Sequence, residues 1–134
     1  MIDILEAVRV MVDADDVTTD ETGAEPFDWV PGTQYVYLAE GSPTERAFET
    51  GPSARQDFAV LLVYVAEAGE EALRQRDPDV TAELDTRLEA WLSAVRANRA
   101  NATWLHLEAA AEARPPATLT SRAVAVRLTG YRLV

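Results

Sequence analysis

The segment Gln56–Ala66 constrains the fold more than any other part of the sequence, because it is typical of a long strand that is apolar on both faces. Successive side chains of a strand point to opposite sides of a sheet. One side carries Phe58, Val60, Leu62 and Tyr64, and the other carries Ala59, Leu61, Val63 and Val65. A strand of this kind has to be covered on both faces, by helices or by another subunit.

Two further strands are predicted immediately before this segment. Tyr35–Ala39 is rich in aromatic and β-branched residues and alternates with a period of two. Glu45–Thr50 follows after the turn Gly41-Ser42-Pro43. Strands joined by tight turns pair antiparallel. Residues 34–66 are therefore predicted to form three antiparallel strands.

The clearest helix is predicted over residues 79–99. It begins after Asp77 and Pro78, a favoured N-cap and a favoured first helical residue. Its apolar stripe consists of Val80, Leu84, Leu88, Trp91, Leu92 and Val95. Glu83 and Arg87 are spaced for an ion pair on the outer face.

The two ends of the chain add a shorter helix and a closing pair of strands. Residues 3–13 place apolar side chains at three- and four-residue steps, the spacing of an amphipathic helix. Trp104–Ala113 has two interpretations, because its first four residues favour a strand and the following alanines and glutamates favour a helix. We predict a strand, because an Asn-rich turn precedes it and the long final strand Arg122–Leu133 needs a sheet partner.

Together these elements predict a single domain, over residues 1–134, of the α+β class. An antiparallel sheet of about five strands is packed by the N-terminal helix and the longer amphipathic helix. The order is helix, three strands, helix, two strands. Residues 13–32 form an acidic loop, 34–66 the three strands, 79–99 the main helix and 104–134 the closing strands.

Negative charge is concentrated in the first part of the chain. Residues 1–52 hold twelve acids and two arginines, a net charge of −10, whereas residues 53–134 hold eleven acids and ten arginines, a net charge of −1. An acidic surface repels phosphate, so neither direct, sequence-specific nucleic-acid binding nor binding to anionic membranes is expected.

The acidic loop is also the candidate interface. Residues 13–28 contain seven acids and no base, which fits either a solvated surface or a contact with a basic partner. Its two aromatic residues fit either a short edge strand or anchors on the core or on a neighbour. The candidate interface residues are Glu21, Glu25, Phe27, Asp28 and Trp29.

No catalytic, cofactor or metal site is predicted, so the chain is not expected to be an enzyme. Cysteine and lysine are absent, and the six glycines form no phosphate-binding loop. The single histidine, His106, has no nucleophile or metal-ligand spacing beside it and is interpreted as structural. The acids at 13–28 lack the ligand spacing of a calcium loop. The longest apolar run, Phe58–Ala66, is far shorter than the ~18 residues of a membrane helix, so no membrane span is expected.

The element order resembles that of the tail terminator proteins of long-tailed phages and archaeal tailed viruses, a family that is also grouped with minor tail and tail-completion proteins. The resemblance covers nearly the whole chain and lies in pattern and spacing. The segments that carry it are Tyr35–Ala39, Glu45–Thr50, Gln56–Ala66 with its lead-in Arg55-Gln56-Asp57, Asp77–Arg99 and Ser121–Val134. The acidic insert at 13–28 has no counterpart in that pattern.

The resemblance implies a structural virion protein that assembles in the host cytoplasm. Such a protein forms a ring, a hexamer in this family, at the head-proximal end of the tail tube. It stops tail growth and joins the tail to the head connector. The implied partners are other copies of the chain, the tail tube protein and a connector or stopper protein, and the family offers no catalytic residues.

Three alternatives remain open at this point. The first is a neighbouring connector subunit, such as a stopper or neck protein. The second is a small α+β ligand-binding domain or enzyme, with some of the three tryptophans and four tyrosines lining a pocket. The third is an adaptor that uses the acidic loop on a basic host partner.

Overall fold

Two helices and six strands form the described part of the computed structural model, which comprises residues 2–12, 17–19, 32–39, 42–47, 54–67, 78–112 and 121–133. In chain order they are α1 (Ile2–Met11), β1 (Val17–Thr19), β2 (Gln34–Leu38), β3 (Thr44–Ala47), β4 (Ala54–Glu67), α2 (Pro78–Ala97), β5 (His106–Ala111) and β6 (Ser121–Leu133). The fold is of the α+β class.

The six strands form one sheet in the order β1-β2-β4-β6-β5, with β3 also paired to β4. The long β4 pairs with β6 from Arg55 opposite Leu133 to Glu67 opposite Ser121. Its first residues also pair with β3, and its middle pairs with β2. All of these pairs are antiparallel, and so is β5 with β6. The five predicted strands are therefore present, and β4 lies inside the sheet.

The prediction that residues 13–32 form only a loop is wrong at Val17–Thr19. This segment is the strand β1, which pairs parallel to β2 with Val17 opposite Gln34. Val-Thr-Thr is a β-branched run with high strand propensity. Three residues are too few to show the alternation of side chains that identifies a strand, and acidic residues surround them in the sequence. The sequence therefore did not predict this strand. The suggested edge strand around Phe27–Trp29 lies outside the described residues.

Both helices pack on the same face of the sheet. The core between them contains Ile4, Leu5 and Val8 of α1, Leu84, Trp91 and Val95 of α2, and the side chains of Val36, Phe58, Val60, Leu62, Tyr64, Val126 and Leu128 from the strands. Full burial of an aliphatic or aromatic side chain of this kind contributes roughly 1.5–3 kcal/mol. The predicted apolar stripes of both helices are therefore the surfaces that build the core.

The other face of the sheet also carries buried residues. They are Tyr35, Tyr37, Val63, Val65 and Ala125, and Val63 and Val65 have no exposed surface. The alternating pattern of β4 thus predicted two buried faces correctly. The helices α1 and α2 account for only one of them.

The turn between α2 and β5 is held by asparagine and tryptophan side chains. Trp104 is buried and donates its indole N–H to the carbonyl of Asn98 at 2.7 Å. The side-chain oxygen of Asn101 accepts the backbone N–H groups of Thr103 and Trp104 at 2.7 and 3.1 Å. The helix ends at Ala97, two residues before its predicted end, and β5 starts two residues later than predicted.

Candidate interface at the edges of the sheet

The five residues predicted to form an interface are Glu21, Glu25, Phe27, Asp28 and Trp29, and all lie outside the described residues. Their role therefore stays a prediction. The same acidic segment nevertheless contributes β1, which the sheet order places at one end of the sheet. In the sequence, Asp15 and Asp16 directly precede β1, and Asp20 and Glu21 directly follow it. One edge of the sheet is thus formed by a strand between four acids.

The strand β5 lies at the opposite end of the sheet. The backbone N–H of Glu112 donates to the carbonyl of Ala125 in β6 at 2.8 Å. Hydrogen-bonded positions alternate along an antiparallel strand, so the even-numbered residues of β5 direct their backbone groups to β6. The odd-numbered residues direct theirs away from the sheet, and the N–H of Leu107 accordingly donates to the carbonyl of Arg99 at 2.8 Å.

Ala109 and Ala111 are the next odd-numbered residues after Leu107, so their backbone N–H and C=O groups also point away from β6. Ala109 is half-buried and Ala111 is exposed, and neither side chain adds bulk or charge to the edge. Natural proteins blunt exposed edges with charged residues, proline or bulges, because an open edge is a template for another strand. The three-alanine end of β5 carries none of these devices.

Arginine side chains surround this edge. Four of the seven described arginine side chains have close partners: Arg9 with Glu6, Arg55 with Asp57, Arg87 with the ring of Tyr64, and Arg132 with Asp3. The other three, Arg96, Arg99 and Arg127, are exposed and form no ion pair in the described ranges. All three lie beside β5, since Arg127 is opposite Ala110 and the other two line a neighbouring cleft.

The cleft between the end of α2 and β5 has a volume of about 330 Å³. It is lined by Leu92, Val95, Arg96, Arg99, Glu108 and Ala109. An apolar floor with charged groups at its rim suits an extended chain segment that carries acidic side chains. The cleft and the outward backbone of β5 together form what we call the β5 edge.

His106 lies on the sheet face opposite the helices. Its ring stacks on the ring of Tyr131, with centroids 5.7 Å apart, and its Nε2 is 3.7 Å from a carboxylate oxygen of Glu108. The guanidinium of Arg55 lies 3.9 Å from the centroid of the same tyrosine ring and its Nε donates to Asp57 at 2.9 Å. These contacts fit the structural role predicted for His106.

Glu83 and Arg87 contact Tyr64 and not each other. The hydroxyl of Tyr64 donates to the carboxylate of Glu83, and the guanidinium of Arg87 lies 4.5 Å from the centroid of its ring. Burial and the Glu83 carboxylate raise the pKa of the Tyr64 hydroxyl. The predicted surface pair therefore serves to fasten α2 to β4.

Arg132 fastens α1 to the sheet. Its Nε donates to the side-chain oxygen of Gln56 at 2.7 Å, and its terminal nitrogens donate to the carboxylate of Asp3. The hydrogen bond from Arg132 holds the pKa of the Asp3 carboxyl below its ordinary value of 3.8. Sequence spacing could not reveal this contact, because the two partners are 129 positions apart.

The described ranges contain neither a metal-ligating cluster nor a membrane-spanning helix. No group of three or more His, Asp or Glu side chains in these ranges is arranged to hold a metal ion. No helix in the same ranges has the length and hydropathy needed to cross a membrane.

The β5 edge was missed at the sequence level. The only available signal was the run of three alanines, Ala109 to Ala111, which brings neither bulk nor charge to the end of the predicted strand. Comparison of the chain with protein-family models and with curated proteins gives no match to either.

Proposed function

We propose that this protein is a structural subunit of a virion, which forms a ring at the head-proximal end of the tail tube. The ring ends tail growth and joins the tail to the head connector. Its partners in this proposal are further copies of the chain, which the resemblance implies are arranged as a hexamer, together with the tail tube protein and a connector or stopper protein. The site of action is the virion, assembled in the host cytoplasm.

The observation that supports this proposal is the difference between the two edges of the sheet. In the sequence β1 lies between acids, and the β5 edge combines backbone groups that point away from β6 with three arginines that form no ion pair among the described residues. Unlike surfaces at opposite ends of one molecule favour head-to-tail contacts, and these close into a ring when the rotation between copies permits. The element order of the chain supports the same assembly through its resemblance to tail terminator proteins.

The proposal is tested by tube assembly in vitro. A candidate tail tube protein from the same genome is polymerised with and without the purified chain, and tube lengths are measured by negative-stain electron microscopy. We expect shorter tubes that carry additional density at one end. An equal amount of the chain after heat denaturation is the matched control.

Unchanged tube lengths, with no density at either end, would count against a terminator. Density that appears only when the portal-side connector protein is also present would instead favour the neighbouring stopper or neck role. That distinction follows from position, because a terminator contacts the tube itself.

A further inference from the structure

We infer that neighbouring copies of this chain join edge to edge, with β5 of one copy paired antiparallel to β1 of the next. The inference deepens the proposed function, on which it rests for the closure of the contacts into a ring. It assigns the self-association surface to two described strands: β1, inside the acidic segment that was predicted to be an interface, and β5, for which the sequence predicted a strand but no interface. The partner is a second copy of the same chain.

Strand direction is compatible with this pairing. Along the order β1-β2-β4-β6-β5, β1 runs parallel to β2, and each later neighbour runs antiparallel to the one before. The strands β1 and β5 therefore run in opposite directions within one copy. When the next copy is placed beside the first in the same orientation, its β1 meets β5 as an antiparallel neighbour. The sheet then continues across the junction without inverting either molecule.

The backbone at β5 is ready to accept such a strand. Ala109 and Ala111 direct their backbone groups outward and bring no side chain that would block a neighbour. Addition of a strand to an open edge gives affinity through main-chain hydrogen bonds, and adjoining pockets give specificity. The cleft beside Ala109 supplies such a pocket.

Charge favours unlike edges over like ones. Arg96, Arg99 and Arg127 lie around β5, and Glu108 and Glu112 offset two of these three charges, which leaves the edge net positive. Four acids adjoin β1 in the sequence. A contact between two β1 edges would bring eight acids together, whereas a contact of β1 with β5 brings acids to arginines.

The short length of β1 makes a single contact weak. Three residues offer only a few main-chain hydrogen bonds, and each contributes modestly in water. Closure of a ring makes the last contact intramolecular and so raises the stability of the whole assembly. We therefore expect weak chains of copies in dilute solution and stable closed rings at high concentration or on a tube.

Cysteine cross-linking tests the pairing directly, because the natural chain has no cysteine. Thr18→Cys and Ala110→Cys chains are mixed and treated with a short bis-maleimide reagent. We expect the mixed dimer to form at least about tenfold faster than the dimer of either chain alone, the ratio that a tenfold difference in encounter affinity produces. Ser93→Cys, at an exposed position of α2, replaces Ala110→Cys in the matched control.

Two outcomes would overturn the inference. Efficient cross-linking of Ala110→Cys to itself would show a two-fold contact between β5 strands. Mixed dimers no faster than those of the Ser93→Cys control would show that β5 is not the partner of β1. A chain that carries both Thr18→Cys and Ala110→Cys is expected to give a ladder of multimers that stops at the ring size.

A proline variant tests whether the backbone N–H of Ala111 takes part in self-association. In Ala111→Pro the lost N–H points away from β6, so the sheet of the single copy keeps its hydrogen bonds. Self-association, measured by sedimentation equilibrium, is expected to weaken by about tenfold or more. Ala111→Thr keeps the N–H and is the matched control, and circular dichroism of both variants checks the fold. Equal association of the two folded variants would contradict the inference, and if Ala111→Pro fails to fold, the cross-linking result decides.

The proposed function and the proposed interface are distinguished by two different results. If rings form in solution and are weakened by Ala111→Pro, but tube lengths do not change, the proposed function is refuted and this interface is supported. Tubes that are capped by the chain, with no effect of Ala111→Pro on capping or on self-association, would refute this interface and keep the function.

Discussion

At the scale of single residues, a few polar contacts connect the helices to the sheet inside an otherwise apolar core. Trp91 and Gln34 are 2 % exposed, and the indole N–H of Trp91 donates to the side-chain oxygen of Gln34 at 3.0 Å. Sequence periodicity placed Trp91 in the core correctly. It assigned no role to Gln34, because a polar residue at the start of a strand usually faces water.

The Trp91→Phe substitution tests the value of this bond. The phenyl ring fills part of the indole site but cannot donate, so the buried oxygen of Gln34 loses this donor. We expect the free energy of unfolding to fall by about 1–3 kcal/mol, the usual penalty for an impaired buried polar group. Urea unfolding measures it, with Ser93→Ala on the exposed side of the same helix as control. An equal change in the two variants would mean that the bond contributes little.

The pH dependence of stability tests the contact between Asp3 and Arg132. The pKa of Asp3 is lowered in the folded state, so its contribution is present above the unfolded value, near 3.8, and is lost as the pH falls through the lower folded value. The difference in unfolding free energy between the natural chain and Asp3→Asn is therefore expected to be constant near neutral pH and to shrink below about pH 4. Added salt reduces it, because Asp3 is largely exposed.

The control for that measurement is Glu6→Gln on the same helix. Its ion pair with Arg9 is formed between exposed side chains and is expected to contribute little. A pH profile of Asp3→Asn that matches the profile of Glu6→Gln would contradict the role assigned to Asp3.

At the scale of elements, long segments with a clear periodicity were predictable from the sequence. Short strands that are identified only by their pairing in the sheet were not. The helix α2 and the strand β4 each carry enough residues for their own periodicity to identify them, and their bounds were predicted within two residues. The strand β1 has only three residues, and its identity depends on pairing with β2, which is set by tertiary contacts. Local sequence cannot show such pairing, since strand propensity depends on the neighbours in the sheet.

The close approach of β4, β5 and β6 depends on Gly130. A Cβ at this position would clash with the backbone carbonyl of His106 and lie 2.8 Å from Cζ of Phe58. Because the carbonyl belongs to the paired strand, relief requires that β5 move away from β6. Gly130→Ala is therefore expected to destabilise the fold by about 1–3 kcal/mol and to increase hydrogen exchange in β5.

Thermal unfolding and hydrogen-exchange mass spectrometry measure the two effects. The conservative change Thr129→Ser, one residue earlier in β6, is the control. The prediction is contradicted if the Gly130→Ala chain is as stable as the natural chain and the amide hydrogens of β5 exchange no faster. The strands could then separate slightly without loss of stability.

At the scale of the whole molecule, the order of strands places β1, which comes from the acidic segment of the sequence, and β5 at opposite ends of the sheet that the described strands form. The sequence alone showed the difference between residues 1–52 and 53–134, and it predicted an acidic interface in the first of these. It could not show that the strand inside the acidic segment and the strand beside Arg96, Arg99 and Arg127, which form no ion pair with any described residue, lie at the two ends of one sheet. That arrangement follows from long-range strand pairing, and the proposed contact of β5 with β1 of the next copy gives the molecule a direction.

This direction predicts how association responds to salt. Charges that steer two unlike edges together act over about 10 Å at 0.1 M ionic strength and about 3 Å at 1 M. The initial rate of self-association, followed by light scattering, is therefore expected to fall by about tenfold or more between these conditions. Arg96→Glu is expected to slow association at low salt and to remove most of the dependence of the association rate on salt. The matched control is Arg9→Gln, on α1, which is expected to leave the salt dependence unchanged. A rate that is independent of salt, or that rises with salt as in burial of apolar surface, would show that the edges meet through packing and that their opposite charges have no part in assembly.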